Sequence, residues 1–196
     1  MIYPASYDIV ILQNSTWKAS LRATSDRQSL TSVSVVSGAA TFTKPCHLLL
    51  AGDTVVFTTD SGATGPCGLS LNSVYFVIAS GLTSDAFKVA TTVSGSQISA
   101  SGTASGQYYV AKPLNVSGYT IDADITGLLT TTQVATFVCT SPSPEDGEIL
   151  MTLAPAVSSG IAEGRYGYDL SLTSGGGERY YWLTGVATVQ RTYSRN

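Results

Sequence analysis

The chain has 196 residues, enough for one ordinary domain or two small ones. Charged residues make up 12% of the sequence and the formal net charge is −3. The ten lysines and arginines are scattered, so no basic stripe can neutralise phosphates, and nucleic acid is excluded as an expected partner. Frequent valine, isoleucine and threonine with 11 tyrosines argue against disorder and predict a β-rich protein with a weakly charged surface.

The N-terminal segment MIYPASYDIVILQNS lacks the basic and apolar regions of a signal peptide. No apolar run approaches the ~18 residues of a membrane span. We therefore expect a protein that is made in a reducing cytoplasm and does not contact a membrane. The cysteines Cys46, Cys67 and Cys139 are expected to be free thiols, although the sequence leaves a bridge between Cys46 and Cys67 open.

Period-two alternation of side chains is frequent at the start of the chain, and helical periodicity is nearly absent. The first predicted strand runs from Tyr7 to Leu12 and is expected to be almost fully buried. A second predicted strand runs from Trp17 to Thr24. The polar stretch Ser25 to Gln28 then indicates a loop.

The middle of the chain is much richer in serine, threonine and glycine, with short predicted strands at residues 53–59, 73–79 and 86–92. We interpret this part as a second small β-domain inserted into the first. The predicted domains are therefore residues 1–28 plus 113–196, and residues 29–112. Such an insertion is thermodynamically easy, because each doubling of an excursion's length adds only about 0.6 kcal/mol of closure entropy.

After the insert, the segment YTIDADIT predicts a half-solvated antiparallel strand. A strand at Gln133 to Thr140 follows, and then the strand GEILMTLA, whose apolar residues share one face. A short helix is predicted around Pro155 to Ala162. Strands at this spacing, joined by turn residues, are typical of a β-sandwich. The first of these strands is predicted to direct one row of side chains inward: Tyr119, Ile121, Ala123 and Ile125.

The last element is a hairpin, EGRYGYDLSLTSGGGERYYWLTG, in which TSGGGE forms the loop. Its first strand should place Tyr166 and Tyr168 in the core. Three consecutive aromatics on the returning strand cannot all point inward, so we expect a protein interface at Tyr180 and Trp182. A carbohydrate platform is the alternative for these rings. Gly185 suggests a bulge in the same strand.

Little in the sequence points to catalysis. His47 is the single histidine, and Cys46 beside it would face the opposite way on an extended strand, so we expect His47 to cap the turn that follows it. Asp122 and Asp124 are interpreted as a solvated strand face, and Gly175 to Gly177 as a hairpin loop. The sequence therefore predicts no catalytic residue, no metal site and no cofactor.

The outer segments resemble a small family of bacteriophage structural proteins, which are immunoglobulin-like β-sandwiches encoded near tail, baseplate and fibre genes. The resemblance is carried by YDIVILQNSTW, LNVSGYTIDADIT, GEILMTLAP and AEGRYGYDLSLTSGGGERYYWLTGVATV. In members of this family the chain usually runs directly from the second strand to the third, so the middle region of this chain is an additional segment. The resemblance implies an all-β fold in which an immunoglobulin-like antiparallel β-sandwich is interrupted by a second small β-domain.

The middle region is similar to a β-rich repeat of phage tail and fibre proteins, through PCHLLLAGDTVVFTT, GPCGLSLNSVYFVIA and DAFKVATT. One departure is Leu48, which stands where the repeat usually has glycine. The matching positions are His47, Leu49, Gly52, Asp53, Val55, Phe57, Pro66, Gly68, Leu69, Tyr75, Val77, Phe87 and Val89.

Together the two resemblances imply a non-enzymatic virion protein of a tailed bacteriophage, assembled in the cytoplasm of the bacterial host. It would be an adaptor or decorating subunit of the tail, baseplate or neck that helps to attach fibres, in a symmetric multi-copy assembly with other virion proteins. The alternatives are a capsid cement or head-decoration protein, and a host-surface carbohydrate-binding module.

Overall fold

The computed structural model describes residues 5–63, 68–130 and 132–192. Contacts divide the chain into two compact units: residues 24–114, here called the insert, and the flanking segments, here called the outer unit. The insert predicted from the sequence spans residues 29–112. In the structure Gln28–Ser29 already pairs with Tyr108–Ala111, and a bridge between Thr24 and Pro113 brings the two ends of the insert together.

The elements follow in chain order. The outer unit begins with β1 (Ala5–Ser6), β2 (Ile9–Leu12) and β3 (Trp17–Arg22). The insert contains β4 (Gln28–Ser29), β5 (Ser32–Val36), β6 (Ala39–Thr43), β7 (Thr54–Thr59), β8 (Val74–Val77), β9 (Ala86–Phe87), β10 (Val89–Ala90) and β11 (Tyr108–Ala111). The outer unit resumes with β12 (Thr120–Gly127), β13 (Gln133–Thr136), β14 (Val138–Thr140), a 3-10 turn (Pro144–Asp146), β15 (Glu148–Leu153), helix α1 (Pro155–Gly160), β16 (Gly164–Thr173) and β17 (Arg179–Gln190). No helix in these described ranges is long and apolar enough to cross a bilayer.

The outer unit is built from two sheets. One has the order β1-β17-β16-β12-β13, with β2 also paired to β17, and the other has the order β14-β15-β3. Aromatic rings connect them. The ring centroid of Phe137 lies 5.2 Å from that of Trp17 on β3 and 6.3 Å from that of Tyr168 on β16. The predicted all-β fold of antiparallel sheets is confirmed, although β1 and β2 run parallel to β17.

Alternation predicts part of the buried face of the outer unit. Tyr119, which is expected to point inward, precedes β12 and is exposed, and Ile121 is half-buried. Ala123 and Ile125 on β12 are fully buried, and so are the alternate residues Ile149, Met151 and Leu153 on β15. The two strands lie in different sheets. Each therefore turns one apolar face toward the space between the sheets, as period-two patterning requires.

Two expectations about strands of the outer unit are wrong. The predicted strand at residues 133–140 is broken at Phe137, because β13 pairs with β12 while β14 pairs with β15 in the other sheet. The chain changes sheets at this buried ring. The first strand is not almost fully buried: Ile9 and Ile11 are buried but Val10 and Leu12 are exposed, because β2 lies at a sheet edge with one face uncovered.

The predicted bulge at Gly185 is also wrong, since Gly185 pairs in register with Tyr168. Glycine is required here by close packing. A Cβ at this position would overlap the carbonyl oxygen of Tyr7, the same oxygen that accepts a hydrogen bond from the Tyr168 hydroxyl. The N-terminal segment therefore lies directly against the backbone of β17. Burial, together with the charges of Asp8 and Tyr7, raises the pKa of Tyr168 to about 12, so this hydroxyl remains a donor at neutral pH.

The insert packs a five-stranded sheet, β10-β8-β7-β11-β4, with a three-stranded sheet, β5-β6-β9. Stacked phenylalanines from both sheets form its centre. The ring centroid of Phe42 on β6 lies 4.3 Å from that of Phe57 on β7 and 5.4 Å from that of Phe87 on β9. All three side chains are fully buried, so the insert has a hydrophobic core of its own.

Sequence patterning locates β7 and β8. The single strand predicted at residues 86–92 is wrong, because β9 pairs with β6 while β10 pairs with β8 in the other sheet. Patterning also misses the hairpin of β5 and β6. Its strands are joined by Ser37 and Gly38, with φ of 51° and 78°. These values match a type I′ turn, the connection that suits two twisted strands. The Ser-Gly dipeptide between alternating valines is the signal that could have predicted it.

A tight turn precedes β7 and is capped by His47, as predicted. The buried imidazole accepts a hydrogen bond at Nδ1 from the Leu49 amide, at 2.9 Å. The Leu50 amide donates to the Asp53 carboxylate, at 2.7 Å. Leu48 lies between these two hydrogen bonds, has a φ of 57° and is 85% exposed. The glycine that the resembling repeat usually carries would suit this left-handed conformation.

Replacing Leu48 by glycine should therefore stabilise the insert. Left-handed backbone costs a leucine about 1–2 kcal/mol, while glycine loses about 0.5–1 kcal/mol in chain entropy, so we expect a net gain of roughly 0.5–1 kcal/mol. Urea denaturation of the insert measures it. Leu50→Gly is the control, because Leu50 is also exposed but has no positive φ; it should destabilise. Equal midpoints for the two variants would contradict the strain at Leu48.

Candidate interaction surface

The closing hairpin, β16 and β17, forms the centre of the larger sheet of the outer unit. Residues 174–178 close it as predicted, with the Ser174 amide donating to the Glu178 carbonyl at 2.8 Å. Tyr168 is buried as expected. Tyr166 is only half-buried, and its hydroxyl donates to the Ala162 carbonyl at 3.0 Å. The aromatic residues near the loop are thus carried by two paired strands.

A β-bulge decides how those aromatics are presented. Leu183 pairs with Leu170 and Tyr181 pairs with Ser171, so Trp182 is the extra residue between them. The bulge breaks the simple alternation from which Tyr180 and Trp182 are expected to share a face. In the structure Tyr180 is 42% exposed and Tyr181 is 47% exposed, while Trp182 is half-buried. Tyr181 is therefore the prominent ring that sequence reasoning missed.

The ring of Tyr181 lies on the outer face of the sheet, in one row with Ser171 and Asp122. The Arg179 guanidinium carbon lies 5.3 Å from the centroid of this ring. Arg179 is itself fixed, since its Nε donates to the Ser171 hydroxyl at 2.9 Å. We call Arg179, Tyr181 and the carboxylates of Asp122, Asp124 and Asp169 the hairpin surface.

The carboxylates occupy the neighbouring rows of this face. Asp124 lies opposite Asp169 on β16 and opposite Thr136 on β13. It accepts hydrogen bonds from Gln133 Nε2 at 2.7 Å and from the Thr136 hydroxyl at 2.9 Å. Burial and the charge of Asp124 raise the pKa of Asp169, whereas Arg179 lowers it. The hairpin surface is therefore acidic with one fixed arginine.

Tyr180 belongs to the other face, opposite Leu172 at the end of the sandwich. Its hydroxyl donates to the Glu178 carboxylate at 2.6 Å, and this hydrogen bond is the first cause of its raised pKa. The exposed Tyr119 raises it slightly as well. Tyr180 and Tyr181 therefore project from opposite sides of one strand.

The other candidate residues form no reactive arrangement. Burial raises the pKa of the Cys139 thiol to about 11, with Asp122 and Asp124 adding to the shift, so the thiol stays protonated and unreactive near neutral pH. Cys46 is exposed, whereas Cys67, the other end of the bridge that the sequence leaves open, lies outside the described residues. Across residues 5–63, 68–130 and 132–192, no three His, Cys, Asp or Glu side chains are grouped to hold a metal ion.

A large concave region lies in the insert and has a volume of about 590 Å³. It is bordered by residues 51–52, 77–80 and 93–97, none of which carries an ionisable side chain. The region is bordered by backbone groups and small side chains, and the serine hydroxyls among them have no general base in the same lining.

Comparison with known proteins adds no assignment. No protein-family model matches this sequence, and no match is found among curated proteins. The function is therefore inferred from the residues and the geometry above.

Proposed function

We propose that the protein is a non-enzymatic structural component of a tailed-bacteriophage virion, an adaptor or decorating subunit of the tail, baseplate or neck that helps to attach fibres. The resemblance of both units to phage tail and fibre modules supports the proposal. The observation that carries it is the exposed Tyr181 ring, which lies beside an Arg179 side chain that is itself hydrogen-bonded to Ser171. Assembly would take place in the bacterial cytoplasm.

The hairpin surface has the composition of a protein-binding site. Tyrosine and arginine dominate the energetic centres of interfaces. Because Arg179 already bonds to Ser171, little side-chain freedom is lost when a partner covers it. The carboxylates of Asp122 and Asp124 beside it favour a partner surface with basic groups. These features support the proposal that a neighbouring virion subunit binds here.

The same geometry favours a protein partner over a sugar. A carbohydrate platform needs an aromatic face open for stacking. The guanidinium of Arg179 lies over the Tyr181 ring, so that face is already occupied. A protein side chain can add to the Arg–Tyr pair at its edge, whereas a sugar ring that stacks on this face would have to displace the arginine.

The test is Tyr181→Ala in the phage that encodes the protein. We expect the variant protein to fold, because the ring is 47% exposed, but to be depleted from purified particles at least tenfold, the loss that follows from ~1.4 kcal/mol of binding energy. Quantitative mass spectrometry of particles measures the protein and its attached fibre subunits. Trp182→Ala should also reduce assembly more than folding.

Arg165→Ala is the matched control, since Arg165 is exposed on β16 near the opposite end of the hairpin. It should leave incorporation unchanged. Absence of the wild-type protein from purified particles would overturn the proposed function. Normal incorporation of Tyr181→Ala would instead exclude the hairpin surface as the contact. Glycan binding by the isolated protein, lost in Tyr181→Ala, would favour the carbohydrate alternative.

A further inference from the structure

The free edges of the sheets are protected to different degrees. Edge strands expose unpaired backbone groups, and proteins usually guard them with charges, bulges or short lengths. Strand β3 carries Lys18 and Arg22, β13 is interrupted by a register shift, and β4, β10 and β14 have only two or three residues. Strand β2 has four residues and follows the acidic Asp8.

Strand β5 has none of these protections. Its sequence is SVSVV, and no charged residue or proline occurs from residue 28 to residue 43. It is the last strand of its sheet, and among the described residues β6 is the only strand that pairs with it. Val36, at its end, is exposed. The insert thus presents five uncharged residues along an open edge.

The turn geometry shows which backbone groups face outward. Val36 and Ala39 flank the two turn residues, so they form a hydrogen-bonded pair. Hydrogen-bonded and non-hydrogen-bonded pairs alternate along an antiparallel ladder. Ser34 therefore directs its amide and carbonyl toward β6. Val33 and Val35 direct theirs toward the free side.

We propose that β5 is a self-association edge that pairs antiparallel with β5 of a second copy of this chain, about a two-fold axis at Ser34. In this register Val33 lies opposite Val35 of the second copy, and the outward amides and carbonyls of both valines find partners. The inference concerns the insert alone and does not rest on the proposed virion function.

The side chains match in the same register. Val33 and Val35 are partly buried against the core of the insert, so the valines of both copies would extend one apolar layer. Ser32 would lie opposite the exposed Val36 of the second copy, on the outer face. Val36 is the last residue of β5 before the turn. The strand of the second copy therefore ends opposite Ser32, and no space is needed for it beyond that residue. The two three-stranded sheets would become one continuous sheet.

Disulfide trapping tests this register. The three native cysteines are replaced by alanine, and Ser34→Cys is then introduced and mildly oxidised. Facing residues of a non-hydrogen-bonded pair have Cα atoms about 4.5 Å apart, within the range of a disulfide. We expect Ser34→Cys to form a covalent dimer at least about tenfold faster than Ser32→Cys. In this register only Ser34 lies opposite the same residue of the second copy. The double variant with Ser32→Cys and Val36→Cys should cross-link as well.

Charge insertion in the otherwise native chain provides a second measurement. Ser34→Lys places like charges face to face on the axis, so sedimentation at high protein concentration should show loss of the dimer. Thr41→Lys is the control, because Thr41 is paired with Ser34 one strand away from the edge, and it should keep the dimer. Equal cross-linking of Ser34→Cys and Ser32→Cys, or a wild-type chain that remains monomeric at its solubility limit, would overturn the proposal.

Discussion

Gly185→Ala is expected to detach the N-terminal strands from β17 and to lower the free energy of unfolding of the outer unit by about 3 kcal/mol, the upper end of the usual range for overpacking. The added Cβ would overlap the Tyr7 carbonyl oxygen and lie 2.8 Å from its carbonyl carbon and 2.9 Å from Tyr168 Cε1. Tyr7 cannot move aside without loss, because its amide donates to the Thr184 carbonyl at 3.0 Å and its carbonyl accepts from Tyr168.

Urea denaturation measures the loss of stability, and hydrogen exchange at Ile9–Leu12 shows whether the strand separates. The matched control is Gly175→Ala in the hairpin loop. A Cβ at Gly175 meets no atom within 4 Å, and Gly175 has no positive φ, so the control should change stability by less than about 0.5 kcal/mol. If the two variants unfold alike, close packing is not what requires glycine at position 185.

Phe57→Ala should destabilise the insert so that it unfolds before the outer unit. Removing a buried phenylalanine costs about 3–5 kcal/mol, and a domain of this size has a total stability of only about 5–15 kcal/mol. Phe57 is fully buried and stacks on Phe42 and Phe87, so its loss leaves a cavity in the centre of the insert core. Since each unit has its own core, the insert and the outer unit should no longer unfold in a single transition.

The positions of the two tryptophans allow the units to be measured separately. Trp17 and Trp182 are the only tryptophans, and both lie in the outer unit. In Phe57→Ala, circular dichroism should report an early loss of strand structure while the tryptophan fluorescence midpoint stays unchanged. Phe137→Ala, which removes the ring between Trp17 and Tyr168, should give the reverse order. Coincident midpoints in both variants would show that the units unfold together.

The sequence is sufficient wherever a local pattern determines the structure. Alternation predicts the buried residues of β15 and of the middle of β12, and Gly175 to Gly177 with their neighbours predict the hairpin loop. The capping role of His47 follows from its position before an apolar turn. In each case neighbouring residues carry the information, because the period of a strand and the conformational freedom of glycine are local properties.

Prediction fails where a distant segment decides the outcome. The bulge at Trp182 arises from the register between β16 and β17, and no residue in that strand marks it. The change of sheet at Phe137 depends on β15, because β14 pairs with that strand. For the same reason Tyr181 and Arg179 could not be grouped with Asp122 from sequence alone, since the sheet order brings them together.

The two ends of the insert lie side by side, because Thr24 bridges to Pro113 and the Ser25 amide donates to the Lys112 carbonyl at 2.8 Å. A segment whose entry and exit are adjacent can be replaced by a short connection without lengthening any strand around it. It can likewise be exchanged for another module with equally close ends. The β3–β12 junction is therefore a place where the length and content of the chain can change while the strands on either side keep their positions.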